Sequence, residues 1–384
     1  MRIGLIAPPW FELPPSGYGG TERVVVGLAT ELTRRGHEVT TFAAPGSHVP
    51  GRVRSFLPEV PAPEALGDTL TELTHVLGAY REIGEFDVVH DHSGFVGAAL
   101  ASLLPAAPPV IHTLHGPWTD ASRRFYGSLG SRVQLVAISR SQAAANPSVH
   151  YAGVVHNGLA PEQFPWRTSK EERLVWVGRA NPDKGLVEAI EAARLVGMPL
   201  SVLVKVNEPA EREYWASAVS DLLDDDIEVI FNAGHEIKAD RVSRAAAMVL
   251  PLQWEEPFGL VMIEALACGT PVVAFNRGSV SEIVTDGETG FVVDPAAGVK
   301  GIATAIANAG DLDGAQCRKR FEEHFSAAVM TDGYERIYRD AIRQRRTATV
   351  RPFKPSFTPT PETAMDLREP VSTSRLVDQH VVEC

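Results

Sequence analysis

Short apolar runs recur along this chain with turn residues and helical stretches between them. Residues 3–7 form a continuous apolar run of strand length, residues 20–35 carry helical periodicity, and residues 38–43 form the next strand after a stop at Gly36. Further short runs follow at residues 88–90, 110–112, 134–138 and 153–156. The pattern restarts at residues 173–177 and continues through 186–196, 200–204, 227–231, 248–252 and 272–275. Strand and helix signals alternating in this way predict an α/β fold of doubly wound parallel sheets. Two series imply two domains facing a cleft, residues 1–165 and 166–329. The linker is expected at residues 161–170, where Pro161, Pro165 and Trp166 stand without periodicity. Ligands of such sheets bind beyond the carboxyl ends of the strands.

The chemistry-bearing residues fall at those strand ends. Glu256 precedes Pro257, which disfavours helical backbone at the residue before it, so Glu256 is expected in a loop. Pro257 is expected to open a helix, the apolar run 260–267 to continue it, and Gly269 with Pro271 to stop it. The amides of Phe258, Gly259 and Leu260 would then point outward at a helix N-terminus, where a phosphate can bind. Glu256 stands ahead of that anion site and Glu264 behind it. Carboxylates accept hydrogen bonds from vicinal hydroxyls, so a sugar at Glu256 and a ribose at Glu264 would leave the diphosphate between them.

Gly17-Tyr-Gly-Gly-Thr-Glu22 leads into the first predicted helix, and glycines let a backbone approach an anion closely. It is not the dinucleotide fingerprint GxGxxG, which makes a dehydrogenase a weak alternative. Val177-Gly-Arg179 and Lys184-Gly185 put two cations at the mouth of the cleft, where they would stabilise charge growing on a leaving diphosphate. Lys205 ends another strand, as a third cation or as a solvated surface lysine. In His90-Asp91-His92, strand alternation puts Asp91 opposite both histidines, which argues against a metal cluster. Asp224-Asp225-Asp226 fits a solvated turn, and no DxD ends an apolar strand, so no metal site is expected. Ser139 and the segment His156-Asn157-Gly158 suit helix capping and turn formation as well as ligand contact. Trp10, Phe11 and Trp118 form either an aromatic acceptor surface or core packing.

Composition narrows the class. The 384 residues exceed the usual single-domain size, and 44% hydrophobic with 22% charged residues is enough for ordinary cores. A net charge of -12 without a long basic run argues against nucleic acid as a partner. Cys268, Cys317 and Cys384 have no CxxC spacing, so neither disulfide framework nor zinc site is indicated, and a cytoplasmic location is expected. The apolar run after Met1 is too short for a signal peptide. Residues 94–111 carry Pro105, Pro108 and Pro109 and predict helix, turn and buried strand instead of a membrane span. Beyond residue 345 the chain turns proline-rich, with Pro352, Pro355, Pro359 and Pro361, and residues 346–384 are expected to be extended or disordered.

The segment 256–264, with Gly278-Ser-Val-Ser-Glu282, Asp286-Gly287 and Thr289-Gly-Phe291, resembles the spaced glutamate pair and following motifs of retaining glycosyltransferase family 4, the glycosyl transferases group 1. The resemblance covers roughly residues 1–345 and is strongest over 250–293. It implies a GT-B fold of two Rossmann-like domains, a C-terminal helix near 330–345 crossing back to the first domain, and sugar transfer from a nucleoside diphosphate sugar (UDP-, GDP- or ADP-linked) to an unidentified hydroxyl acceptor. It further implies front-face substitution without a metal or other cofactor. By the same resemblance Arg179 and Lys184 clamp the diphosphate, Glu256 and His115 meet the donor sugar, Glu264 the ribose, and Gly19 and Gly20 approach the diphosphate. The base pocket is expected around residues 231–235. Lys205 departs from the family, in which glycine is frequent there. A GT-B phosphorylase, a nucleotide-sugar epimerase and a catalytically silent sugar-nucleotide-binding paralogue remain alternatives. Donor base, sugar, acceptor and oligomeric state stay open.

Overall fold

The computed structural model describes residues 1–347 apart from 18, 63–64, 105–107 and 131–132. The proline-rich segment for which disorder is expected lies outside the described residues. The first half builds a seven-stranded sheet from β1 (Arg2–Ile6), β2 (Glu38–Phe42), β3 (Arg52–Arg54), β4 (Val88–Asp91), β5 (Val110–Leu114), β6 (Val133–Ala137) and β7 (Tyr151–Val154). Its order is β3-β2-β1-β4-β5-β6-β7, parallel throughout. The second half builds a six-stranded parallel sheet from β8 (Glu171–Arg179), β9 (Leu200–Lys205), β10 (Ile227–Phe231), β11 (Ala245–Leu250), β12 (Val272–Phe275) and β13 (Gly290–Val293), in the order β10-β9-β8-β11-β12-β13. This is the architecture expected from the alternating pattern. The central strands are buried because helices cover both faces, although β4 ends in His90 and Asp91 and β5 carries His112 and Thr113.

Each sheet reverses strand order once, between β1 and β4 in the first and between β8 and β11 in the second. Such switch points open a crevice beyond the carboxyl ends of the two strands. Residues 7–17, 19 and 92 therefore border the first crevice, and residues 180–184 and 251–259 the second.

The helix Ala327–Thr347 returns to the first sheet, where Met330, Tyr334, Ile337, Tyr338 and Ala341 join Ile3, Leu5 and Val24 in one core. Its polar face is tied to the first helix, Gly20–Arg34, and the residues after it by Arg35–Asp332 at 2.6 Å and His37–Glu335 at 2.6 Å. The core of the second half surrounds fully buried Trp176 and extends to Ile138 and Leu159 of the first. No helix among the described residues is long and apolar enough to cross a membrane.

Three expectations shift. Edge strand β3 is missing from the sequence reading because Arg52-Val53-Arg54 is half-exposed and carries no apolar run. β13 is also missing, since it begins with a glycine and is four residues long. β7 ends two residues before His156, which belongs to the following loop.

Candidate functional site

The two crevices share one cavity of about 1070 Å³, lined from both halves. On its C-terminal side the loop after β8 forms a short turn, Pro182–Lys184, capped by the Asn181 side chain, which accepts from the Asp183 amide at 2.9 Å. Gly185 then adopts φ 67°, and a Cβ there would lie 1.9 Å from the Pro251 carbonyl oxygen. Only glycine permits that approach of the β8 and β11 loops. Their contact brings Lys184 to residues 254–256. Lys184 Nζ donates to Glu256 Oε2 at 2.5 Å and lies 4.4 Å from the centre of the Trp254 ring, while Trp254 Nε1 donates to the same carboxylate oxygen at 3.1 Å. Glu256 is buried, and the segment 278–279 supports its backbone: Ser279 N donates to Glu256 O at 3.0 Å and Ser279 Oγ to Phe258 O at 2.7 Å.

Here the structure corrects the expected helix start. The helix runs Leu260–Ala267, with Gly259 at its N-cap in the left-handed region (φ 77°), so it opens three residues after Pro257. The cause is Phe258, whose buried ring packs against His156 and Phe325 and turns the chain before the helix begins. The first amides of this helix have no intrahelical carbonyl to bond, and Gly259, Leu260 and Val261, at its start, line the cavity.

Behind those amides, buried Glu264 accepts from Lys238 Nζ at 2.6 Å through Oε1. Its Oε2 is buried without a hydrogen-bond partner among the described residues. An unpartnered carboxylate oxygen at a cavity wall is an acceptor awaiting a donor. Arg179 ends β8 and lines the cavity; among the described residues no carboxylate lies within ion-pair distance of it. Lys205 pairs with Arg179 in strand register but is buried, bonded to Glu208 at 2.8 Å and to Glu211 at 3.3 Å. The expectation of a solvated surface lysine is thus corrected. Burial of Glu211 beneath it supplies the reason.

On the N-terminal side, Gly19 and Gly20 open the first helix, and Gly20 approaches the donor-side helix so closely that a Cβ would meet Leu260 Cδ1 at 2.8 Å. Arg23 holds the glycine loop from behind, donating to Pro15 O at 3.1 Å and Gly17 O at 3.3 Å. Glu22, in the first turn of the helix, is buried, and burial raises its carboxyl to about 7. Because the folded value exceeds the ordinary carboxyl value of 4.5, this group stabilises the fold at low pH and loses that contribution as pH rises from about 4.5 to about 7. Glu22→Gln should therefore gain melting temperature relative to the wild type across that window and keep a constant difference above it, in thermal melts from pH 4.5 to 8. A difference independent of pH would remove the buried-acid assignment.

His115 follows β5 and its Nε2 lies 2.9 Å from Nδ1 of His92, which follows β4. His92 is buried, and its Nε2 has no partner among the described residues. Below them His90 bonds Tyr338 OH at 2.6 Å and Thr113 Oγ1 at 2.7 Å, tying the pair to the returning helix. Burial holds His115 down at about 3 and His92 well below its ordinary value, so both imidazoles are neutral hydrogen-bonding groups near neutral pH. Asp91 points away from them, as alternation requires, to Tyr80 OH at 2.7 Å and the Ser93 amide at 2.7 Å. Ser139 caps the helix Arg140–Ala144, accepting from Gln142 N at 2.9 Å, which favours its capping role. Asp224 pairs with Arg194 in an exposed turn. No group of three or more His, Cys, Asp or Glu side chains that could hold a metal occurs among the described residues.

The cavity thus gathers Gly19, Gly20, His115, Arg179, Lys184, Lys205, Glu256, Phe258, Gly259, Leu260 and Glu264. Further lining residues escaped the sequence reading, among them Glu22, Lys238 and Trp254, whereas His92, read with its neighbours as lining the acceptor side or capping the next helix, does line the cavity. His92 was legible from parallel strand pairing, since residues 90 and 91 lie beside 111 and 112. Lys238 lies 26 residues from its partner on another helix and leaves no local signal.

Two parallel-sheet domains sharing a cleft at their switch points, with an open helix N-terminus flanked by carboxylates, define a glycosyltransferase of GT-B architecture. More particularly, the chain belongs to the group 1 glycosyltransferases of family 4: residues 162–324 match the family model "Glycosyl transferases group 1" and residues 18–163 match "Glycosyltransferase Family 4". It is 29% identical to a phosphatidyl-myo-inositol mannosyltransferase of Propionibacterium freudenreichii over 75% of this chain and 80% of that protein. It is also 29% identical to a D-inositol 3-phosphate glycosyltransferase of Acidothermus cellulolyticus over 90% of this chain and 92% of that one. Among solved structures, Anabaena HepE in complex with UDP and glucose shares the fold with a TM-score of 0.68 at 19% identity, covering 88% of this chain and 100% of HepE.

Proposed function

We propose that this glycosyltransferase moves a sugar from a nucleoside diphosphate donor to a hydroxyl acceptor with retention of configuration and without a metal. One observation carries the reading: two lysine-paired carboxylates, Glu256 and Glu264, flank an open helix N-terminus, and Glu264 keeps a buried oxygen unpartnered. The ribose hydroxyls satisfy Glu264 Oε2. The diphosphate lies on the amides at 259–260 and exchanges Lys184 out of its pair with Glu256, leaving that carboxylate to the donor sugar. Arg179 completes the clamp. As the glycosidic bond breaks, negative charge grows on the leaving phosphate, where Arg179 and Lys184 stabilise it more than in the ground state. The same phosphate oxygen takes the acceptor proton on the face from which it departs, and no side chain forms a covalent intermediate. His115, neutral, bonds a donor-sugar hydroxyl. Burial of free Cys268 and Cys317 suits a reducing, cytoplasmic compartment.

The test is a panel of UDP-, GDP- and ADP-sugars, beginning with UDP-glucose because HepE was solved with UDP and glucose. Nucleoside diphosphate release and the anomeric configuration of the product by NMR are the readouts. An α-linked donor should yield an α-linked product with undiminished rate in EDTA. A β-linked product would overturn retention, and EDTA inactivation reversed by a divalent ion would overturn the metal-free mechanism.

A further inference from the structure

The two walls of the cavity differ in charge. The C-terminal wall carries Arg179, Lys184, Lys205 and Lys238, the three lysines paired with carboxylates that include the lining Glu256 and Glu264. The N-terminal wall carries Trp10, Phe11, Phe95, Trp118 and Tyr126, with the carboxyl groups of Glu22 and Glu72 between them. Its one guanidinium among the described lining residues, Arg23, is turned onto the carbonyls of Pro15 and Gly17. Its histidines His92 and His115 are neutral near pH 7, as described above.

The aromatic wall is built, and part of it is open. Trp118 Nε1 donates to Gln142 O at 2.8 Å, and its ring meets Tyr126 edge-on at 5.6 Å. Phe95 packs against Phe125 at 5.1 Å and Tyr126 at 5.6 Å, yet remains 52% exposed. A large apolar side chain held rigid by neighbours and left open to a cavity offers a flat face to a ligand. Beside it, Glu72 uses Oε1 to accept from the Gly94 amide at 2.8 Å, and its second oxygen is not bonded to that amide. Carboxyl groups and neutral imidazoles accept hydrogen bonds from hydroxyls.

From this segregation we infer that the acceptor is an uncharged polyhydroxylated ring, a sugar or cyclitol without phosphate, stacked by one apolar face on the wall at Phe95 and Trp118. The inference rests on the donor reading above, which assigns the cationic wall to the diphosphate. A phosphate monoester on the acceptor would surrender its water to aromatic rings and face carboxylates, and the one cation of that wall among the described residues, Arg23, is already bonded to the carbonyls of Pro15 and Gly17. A neutral ring loses little water from its C–H face and keeps hydroxyl partners on its edge. The wall therefore selects against a phosphorylated acceptor through what it would leave unpaired.

Matched pairs test this: myo-inositol with an inositol monophosphate, and methyl glucoside with glucose 6-phosphate. Saturation-transfer NMR on the full chain reads acceptor binding without a donor, and calorimetry with UDP, GDP and ADP reads the donor site separately. The neutral members should show saturation transfer that falls at least about tenfold in affinity in Phe95→Ala and returns in Phe95→Tyr, while nucleotide affinity stays constant. The phosphorylated members should bind weaker by about tenfold or more. Equal or tighter binding of the phosphorylated members would overturn the inference, as would neutral binding unaffected by Phe95→Ala or the absence of any neutral binding at millimolar concentration. Neutral rings binding to a chain that takes no nucleotide would sink the donor reading and leave the acceptor inference standing.

Discussion

Lys184→Ala should lower kcat by about two to three orders of magnitude, the scale of about 2.7 to 4 kcal/mol for one preorganised donor to transition-state charge. Lys184 is placed by three contacts: its turn, the Glu256 carboxylate at 2.5 Å and the Trp254 ring at 4.4 Å. Exchanged from Glu256 onto the diphosphate in the proposed reaction, the ammonium is in place before charge grows on the leaving group. Arg179→Ala should lose turnover on a similar scale, since Arg179 ends β8 and lines the cavity where the proposed clamp meets the diphosphate. Lys184→Arg should restore only part of the rate, because a planar fork does not reproduce a compact ammonium at the same point. Steady-state kinetics with donor saturating, together with thermal melts, check both. Unchanged kcat in both alanine variants with an intact fold would dismiss the clamp.

The central strands were legible because parallel strands buried on both faces are largely apolar, and Leu174-Val-Trp-Val177 is one such run. Edge strand β3 was not, for it spends two of its three positions on exposed arginines. The glutamates 256 and 264 were legible because one stretch of chain carries both, with Pro257 and Gly259 marking where the loop yields to the helix. The helix start was misplaced by three residues since Pro257 suits a first helical turn as readily as a loop, and only the burial of Phe258 decides between them. Partners drawn from other elements stayed hidden. Lys238 reaches Glu264 from the helix His235–Arg244, and Trp254 becomes a ligand of Glu256 only when the loop bends its indole back on the carboxylate. Charge segregation between the cavity walls also required the fold, since Phe95 and Trp118 are ordinary apolar residues until their exposure is known.

Glu264→Ala should weaken the nucleoside diphosphate and the intact donor to the same degree. The ribose is common to both ligands, and the unpartnered Oε2 of Glu264 is the acceptor assigned to it. A hydrogen bond to a charged group contributes about 1.5 to 3 kcal/mol, so each affinity should fall by roughly ten- to hundredfold. Lys238 complicates the reading, because removing Glu264 leaves its ammonium unpaired and could draw the diphosphate toward it. Glu264→Gln separates the effects: it keeps an acceptor oxygen for the ribose and loses the charge, so its loss should be smaller than that of alanine. Lys238→Met removes the ammonium and keeps both oxygens of Glu264, so a diphosphate drawn toward Lys238 would show as an affinity loss in this variant. Calorimetric titration of the three variants with nucleoside diphosphate and with donor sugar, each on protein whose melting curve is intact, reads these outcomes. If only the intact donor lost affinity in Glu264→Ala, Glu264 would be contacting the sugar and the ribose assignment would fail.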